Sequence, residues 1–303
     1  MVAGGSGFLG RLLAAELASR GSEVVILTRN PSRSAGRIQE VFWDGRTLGP
    51  WAERLEAVKA VINLTGRTLN CRYTLANRRE IVESRVESVK VIGEAIRRCG
   101  KPPQVLVQAG SLGIYGDAGD RWCDEQAPSA EDFPAQTCVS WEKAFDESPT
   151  PRTRRVLLRI GFVLGASGGA LKVMANLTRW GLGGTFGGGK QYISWLHERD
   201  MNAIFLAAIE REDIQGVFNA TGPNPVTNAE FMRELRRVLR RPWTPPAPIW
   251  AVHVGTWLMR TEACLALTGR RCSPTRLLNH GFEFKFPALK EALENIYGQE
   301  VLR

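Results

Sequence analysis

Two apolar rhythms alternate along this chain. Leu9, Leu12, Leu13 and Leu17 recur at helical spacing, while Arg11, Glu16 and Arg20 fall on the wetter side and Gly21 offers a C-terminal stop. Glu23 to Thr28 (EVVILT) is then a nearly unbroken apolar run, as expected of a strand buried on both faces. Similar runs stand at Val58 to Thr65, Val105 to Ala109 and Val156 to Val163, with a helix from Leu75 to Cys99 and a break at Pro102 and Pro103. This alternation predicts an α/β fold: a doubly wound parallel sheet with right-handed crossovers and helices on both faces. Ligands gather at the carboxyl ends of such strands, which draws attention to Gly66, Gly110, Ser111 and Gly165. Further on, Thr227 and Glu230 form a capping box before a helix that halts near Pro242, Pro242 to Pro248 reads as an extended connection, and Pro287 starts a last helix.

The first helical pattern is preceded directly by Gly4, Gly5, Ser6, Gly7, Phe8, Leu9 and Gly10. A turn this poor in Cβ atoms lets backbone N–H groups and a helix N-terminus approach a pyrophosphate, so the strand, turn, helix and strand read as a Rossmann-type dinucleotide site. An ordinary glycine turn is the alternative. Only Met1, Val2 and Ala3 precede the glycines, and the reading leaves open a start upstream of Met1. In NAD sites an acidic residue about 20 positions after the glycines binds the ribose hydroxyls. Here that stretch is Thr28, Arg29, Asn30 and Pro31. A guanidinium can fork onto a 2′-phosphate, so NADP(H) is the expected cofactor with Arg29 as its reader, against a solvated surface arginine.

Composition narrows the function. A chain of 303 residues with 44% apolar content can bury a substantial core. The expected division is an NADP-binding Rossmann domain over 1–165, with a return near 193–221, and a smaller C-terminal α+β substrate lobe over 166–192 and 222–303. No apolar run is long enough to span a bilayer and no signal-like leader is visible, so the expectation is a cytoplasmic protein without a membrane partner. Six scattered cysteines without a CxxC pair indicate neither a zinc knuckle nor a disulfide framework. The net charge of +9 invites a nucleic-acid reading, but basic pairs such as Arg154 and Arg155 or Arg270 and Arg271 lack interleaved aromatics. They read as solvated helix faces, with attraction of an anionic cofactor as a partial cause. The expected partner is a small-molecule substrate, with a homodimer left open.

Several segments carry a family resemblance: GGSGFLG at the start, FWDG (Phe42 to Gly45), INLTG (Ile62 to Gly66), ESR (Glu83 to Arg85) and IYGD (Ile114 to Asp117). RIGFVLGASGGAL (Arg159 to Leu171), GLGGTFGGGKQYISWLH (Gly181 to His197), TNAEF and GFEFKFPALKEAL extend it over nearly the whole chain. Together they resemble an atypical extended short-chain dehydrogenase/reductase of the epimerase-like subfamily, with its own C-terminal domain. The resemblance implies that Gly4, Gly7, Phe8, Leu9 and Gly10 cradle the pyrophosphate, with Thr28 and Arg29 at the adenosine end. It further implies that Leu64, Thr65 and Gly66 line the cofactor, Glu80 and Arg85 reach it from the following helix, and Val163 from a later strand.

Ordinary members of that superfamily place a Tyr and a Lys four residues apart on one helical face, so that the ammonium lowers the phenol pKa. No tyrosine here has a lysine at that spacing, and Cys138 and Glu142 occupy the expected places. Ser111 and Tyr115 remain as hydroxyls able to polarise a carbonyl, or else merely to stabilise their loop. Glu142 is a further candidate acid or base, against the plainer reading of an exposed helical carboxylate. His197 and Asp200 suggest a metal or proton relay, but the second His of a zinc-binding helix is missing, so they read as hinge residues and no metal is expected. Phe186, Tyr192 and Trp195 offer apolar surface for a ligand beside a glycine-rich stretch that also reads as a linker. Two function classes follow. One is an NADP(H)-dependent oxidoreductase or epimerase-like enzyme transferring hydride to a small carbonyl or sugar-like substrate; the other is a noncatalytic NADP(H)-binding redox sensor or scaffold.

Overall fold

A computed structural model describes residues 1–32 and 36–298. The elements run β1 (Val2–Ala3), α1 (Phe8–Ser19), β2 (Val24–Thr28), β3 (Ile38–Phe42), β4 (Ala60–Asn63), α2 (Leu75–Arg98), β5 (Val105–Ser111), β6 (Trp122–Cys123), α3 (Phe133–Asp146) and β7 (Arg154–Ile160). There follow β8 (Phe162–Leu164), α4 (Gly169–Arg179), β9 (Tyr192–Ile193), β10 (Trp195–His197), α5 (Glu198–Glu210), β11 (Gly216–Ala220), β12 (Val226–Thr227) and α6 (Asn228–Val238). The C-terminal elements are α7 (Ile249–Leu258), α8 (Cys264–Leu267), β13 (Arg271–Cys272), α9 (Thr275–Asn279) and α10 (Leu289–Tyr297).

Seven strands form one parallel sheet in the order β11-β7-β5-β4-β1-β2-β3. This is the Rossmann-type doubly wound sheet that the apolar runs predict. The chain winds outward from β1 to β3 and crosses back to β4, which leaves a crevice beyond the ends of β1 and β4. Val2 stands beside Ile26 and Ile62, and Ala3 beside Leu27 and Asn63. Alternate strand residues therefore feed two cores. Leu13, Met201 and Phe205 join Val2, Ile26 and Val107 on one face, and Val89, Ile96, Trp141 and Phe145 join Val61 and Leu106 on the other. A fully buried side chain such as Leu13 contributes roughly 1.5–3 kcal/mol of hydrophobic stabilisation.

One predicted strand is broken. The run Val156 to Val163 divides at Gly161, whose N–H donates to Ala220 O (3.0 Å), while Phe162 N donates to Ser194 O (2.8 Å). A Cβ at Gly161 would stand 2.7 Å from the Ser194 carbonyl oxygen, so the glycine lets the chain leave the sheet and pair β8 with β10. The pair Arg154 and Arg155 is also not a solvated helix face. Both lie on β7, and Arg154 Nη1 donates to the carbonyls of Ala208 (2.9 Å) and Ile214 (2.6 Å), ordering the turn before β11.

The C-terminal lobe packs α4, α6 and α10 around Leu171, Phe231, Leu235, Leu289 and Leu293. Its capping box forms as read: Glu230 N donates to Thr227 Oγ1 (3.2 Å) and Thr227 N to Glu230 Oε2 (2.8 Å). His197 and Asp200 join this lobe to the sheet. The Asp200 carboxylate accepts from the backbone N–H groups of Lys285 (2.8 Å) and Phe286 (3.0 Å), and the His197 ring stacks on Phe286 at 4.0 Å. All six cysteines are free thiols. Among the described residues no group of three or more His, Cys, Asp or Glu could hold a metal ion, and no helix is long and apolar enough to cross a membrane.

Candidate functional site

The glycine turn sits at the crevice because it leaves no room for side chains. Gly4 adopts φ +69°, and a Cβ there would lie 3.0 Å from the carbonyl carbon and oxygen of Leu64. At Gly10 a Cβ would come within 2.4 Å of the Gly5 Cα, so only glycine lets α1 start hard against the turn. Gly7 caps α1 without any side-chain acceptor, and the first turn holds no acidic residue. Its amide donors and positive dipole end are left open to an anion. Phe8 lays its ring across Gly165 and Gly168, and Leu9 packs against the core below. Val163 is buried on β8.

At the end of β2, Thr28 is buried and its Oγ1 donates to Ser6 Oγ (3.1 Å), tying the strand to the turn. Arg29 is exposed and makes no ion pair among the described residues. Beyond β4, the Asn63 side-chain oxygen accepts from Thr65 N (3.0 Å) while its Nδ2 donates to Gln108 Oε1 (2.9 Å). This holds Leu64, Thr65 and Gly66 against the turn. Thr65 Oγ1 is buried without a hydrogen-bond partner. Gly66 lies over Arg85, whose Cζ would stand 3.1 Å from a Cβ at that position.

Arg85 is 9% exposed and meets no carboxylate among the described residues. Its Nη1 donates to the carbonyls of Arg67 and Ile81 (both 2.9 Å), and the guanidinium lies 5.0 Å from the Trp141 ring centre. Burial pushes its pKa down from the ordinary arginine value. Glu80, expected beside it, is committed elsewhere. Its carboxylate pairs with Arg46 (2.9 Å), which also reaches Glu87 (3.1 Å).

Past β5, Ser111 Oγ accepts from Gly113 N (3.0 Å) and thereby caps the short 3-10 turn Leu112–Tyr115. Gly113 itself is buried and closely packed. A Cβ there would stand 3.2 Å from Ser111 Oγ, 3.6 Å from Cys138 Sγ and 3.7 Å from Arg270 Nη1. Three elements distant in sequence thus converge on one point. Burial pushes the Cys138 thiol up to about 12, so it stays protonated at neutral pH. Arg270 belongs to the C-terminal lobe, just before β13, and it too lacks an ion pair among the described residues. The sequence offered only the basic pair Arg270 and Arg271 as a signal, and that reads as solvated surface.

Tyr115 does not join Ser111. It is fully buried; its hydroxyl donates to Asn219 Oδ1 (2.8 Å) and accepts from Arg159 Nη1 (2.8 Å). Burial pushes its pKa up despite Arg159, and its hydroxyl both donates and accepts within the fold. The reading of Glu142 as exposed is corrected: its two oxygens take Arg159 Nε (2.8 Å) and Nη2 (2.7 Å) in a forked pair. Trp195 lines no ligand surface either, being 1% exposed in the lobe core with its indole N–H donating to Asn224 O (2.9 Å). Tyr192 and Trp122 instead sandwich Arg271, at 5.0 and 4.2 Å.

Known proteins resemble this chain over nearly its whole length. A model described as the NAD dependent epimerase/dehydratase family matches residues 1–221, and a domain of unknown function (DUF1731) matches residues 247–296. Epimerase family protein SDR39U1 of Bos taurus is 34% identical over 301 residues, covering 98% of each chain. The SDR39U1 homolog of Arabidopsis thaliana, described as chloroplastic, is 32% identical over 97% of this chain and 85% of its own. A crystal structure of human epimerase family protein SDR39U1 (isoform2) with NADPH superposes with a TM-score of 0.88 at 32% identity, covering 98% of both chains. With its parallel sheet, glycine turn and full-length relatives, this chain belongs to the NAD dependent epimerase/dehydratase family.

Proposed function

We propose that the chain is an NADP(H)-dependent oxidoreductase or epimerase-like enzyme acting on a small carbonyl or sugar-like substrate. The observation that carries this reading is a set of unanswered positive groups around one crevice. The uncapped amides of α1, the exposed Arg29 and the buried Arg85 all lack an acidic partner. A dinucleotide with an extra phosphate fits such a set, and the human relative solved with NADPH supports the choice. Gly4, Gly7, Phe8, Leu9 and Gly10 would hold the pyrophosphate, Thr28 and Arg29 the 2′-phosphate end, and Leu64, Thr65, Gly66, Val163 and Arg85 the remaining length, while Glu80 stays with Arg46. When bound, the nicotinamide supplies a donor or acceptor of hydride.

The substrate oxygen belongs within hydrogen-bond reach of Ser111 Oγ, on the side that Arg270 approaches. Ser111 Oγ already accepts from Gly113 N, so its proton is free to be donated to that oxygen. Arg270 adds a positive charge where negative charge develops on a carbonyl that gains hydride. Cys138, held as a thiol, contributes no charge. In this reading residues 166–192 and 222–303 form the substrate lobe, which delivers Arg270.

The test is calorimetric titration with NADPH and NADH, followed by turnover on a panel of aldehydes, ketones and sugar nucleotides. NADPH should bind more tightly than NADH, and Arg29→Ala should reduce that preference about tenfold. Binding without turnover on any compound would favour the noncatalytic sensor. No heat with either coenzyme would overturn both readings.

A further inference from the structure

α7 turns its apolar side outward. Trp250, Val254, Trp257 and Leu258 recur at intervals of four, three and one, which places them on one helical face. All four are more than half exposed, and Val252 is the one buried residue of the helix. Trp180 and Trp243 are exposed as well, at 83% and 74%. The segments that follow them run side by side just before α7: Ala247 N donates to Thr185 O (2.8 Å) and Gly187 N to Ala247 O (2.9 Å). The outward face of α7 makes this an apolar corner of the C-terminal lobe. Isolated exposed apolar residues are normal on a protein surface; a contiguous indole-rich face is not.

The charge around this face is mainly positive. No Asp or Glu occurs between Glu147 and Glu198, nor between Glu234 and Glu262, and the Glu262 carboxylate at its edge accepts from Tyr73 N (2.7 Å). Arg241 and Arg260 are exposed on the segments flanking α7, and the exposed Arg72 sets its guanidinium 5.4 Å from the Trp257 ring while donating to Trp257 O (3.1 Å). A second copy of the chain is a poor occupant. Two-fold pairing would lay the face on itself, arginines toward arginines in excess of the single Glu262 carboxylate at its edge. Indole rings between an apolar body and a wet rim, with unanswered arginines around them, match the interface of a bilayer carrying anionic headgroups.

We propose that this corner docks peripherally on an anionic membrane surface, with the indoles at headgroup depth and the arginines on lipid phosphates. This departs from the expectation of no membrane partner, which rested on the lack of a spanning run; α7 has ten residues and lies on the surface. The test is co-sedimentation of the full chain with vesicles of phosphatidylcholine plus phosphatidylglycerol, and with phosphatidylcholine alone. The mixed vesicles should retain the protein, pure phosphatidylcholine should retain about tenfold less, and added salt should weaken retention. Trp250→Ser with Trp257→Ser should lower retention by a further tenfold or so, with an unchanged unfolding midpoint because both positions are exposed. Equal retention on both vesicles, or none, would overturn the proposal. So would sedimentation velocity showing a dimer that the same two substitutions dissociate.

Discussion

Arg159 and Arg85 are buried to the same depth, at 8% and 9% exposure, yet they are answered differently. Arg159 is gripped by both oxygens of Glu142, by Tyr115 Oη and by the Glu125 carbonyl (3.0 Å), and Asn219 links that network to the Ser273 carbonyl in the C-terminal lobe (3.0 Å). Burial alone would lower its pKa, but Glu142 raises it above the ordinary value. Arg85 has two backbone carbonyls and an indole face, and burial lowers its pKa. A buried charge without a partner is costly, so a fold that keeps one is arranged for a ligand to complete it, whereas a satisfied charge serves to hold elements together. The same contrast separates Tyr115, with both hydroxyl roles filled, from Ser111, with its proton free.

The largest effect should come from the satisfied side. Arg159→Leu strands Glu142 and frees Tyr115, and should lower stability by about 3–5 kcal/mol in urea unfolding. A loss below about 1 kcal/mol would mean that the network is not structural. Next, Ser111→Ala should cost about 1 kcal/mol of stability, because Gly113 N loses its acceptor, and reduce kcat about a hundredfold, whereas Tyr115→Phe should cost a similar amount of stability and leave kcat of the folded enzyme intact. If Tyr115→Phe instead abolishes turnover, the proposal that Ser111 acts without Tyr115 fails.

Arg85→Leu should weaken NADPH binding about tenfold while changing stability by less than about 1 kcal/mol, the reverse of the Arg159 profile. Acidification gives the smallest contrast. Burial lowers His197 from 6.5 to about 4, with Arg199 adding to the shift. The unfolded chain therefore takes up a proton below pH 6.5 that the folded one refuses until about pH 4, so stability falls as pH drops through that window. His197→Asn, which keeps a side-chain acceptor for Arg199 N, should flatten that slope in unfolding curves. Cys138 at about 12 stays a thiol throughout and adds nothing to that slope.

Much of the frame was readable in the residues themselves. Near-continuous apolar runs, helical spacing and a Cβ-poor turn are local signals, and each specifies its element through sterics and burial that need only a few neighbours. The Thr227 and Glu230 capping box is local in the same way. What could not be read were meetings between distant segments. Glu142 looks like an ordinary exposed helical acid until β7 brings Arg159 to it, 17 positions away. Tyr115 resembles a catalytic hydroxyl until Asn219 arrives from 104 positions downstream. Gly161 breaks a strand because the carbonyl of Ser194 passes where a side chain would be. Arg270 approaches Gly113 from far along the chain, just before β13 pairs with β6. The sequence by itself determined the doubly wound sheet and its nucleotide-shaped turn. Tertiary packing alone decided which polar groups are satisfied and which are left waiting for a ligand, because hydrogen bonds and ion pairs act over a few ångströms, whatever the separation along the chain.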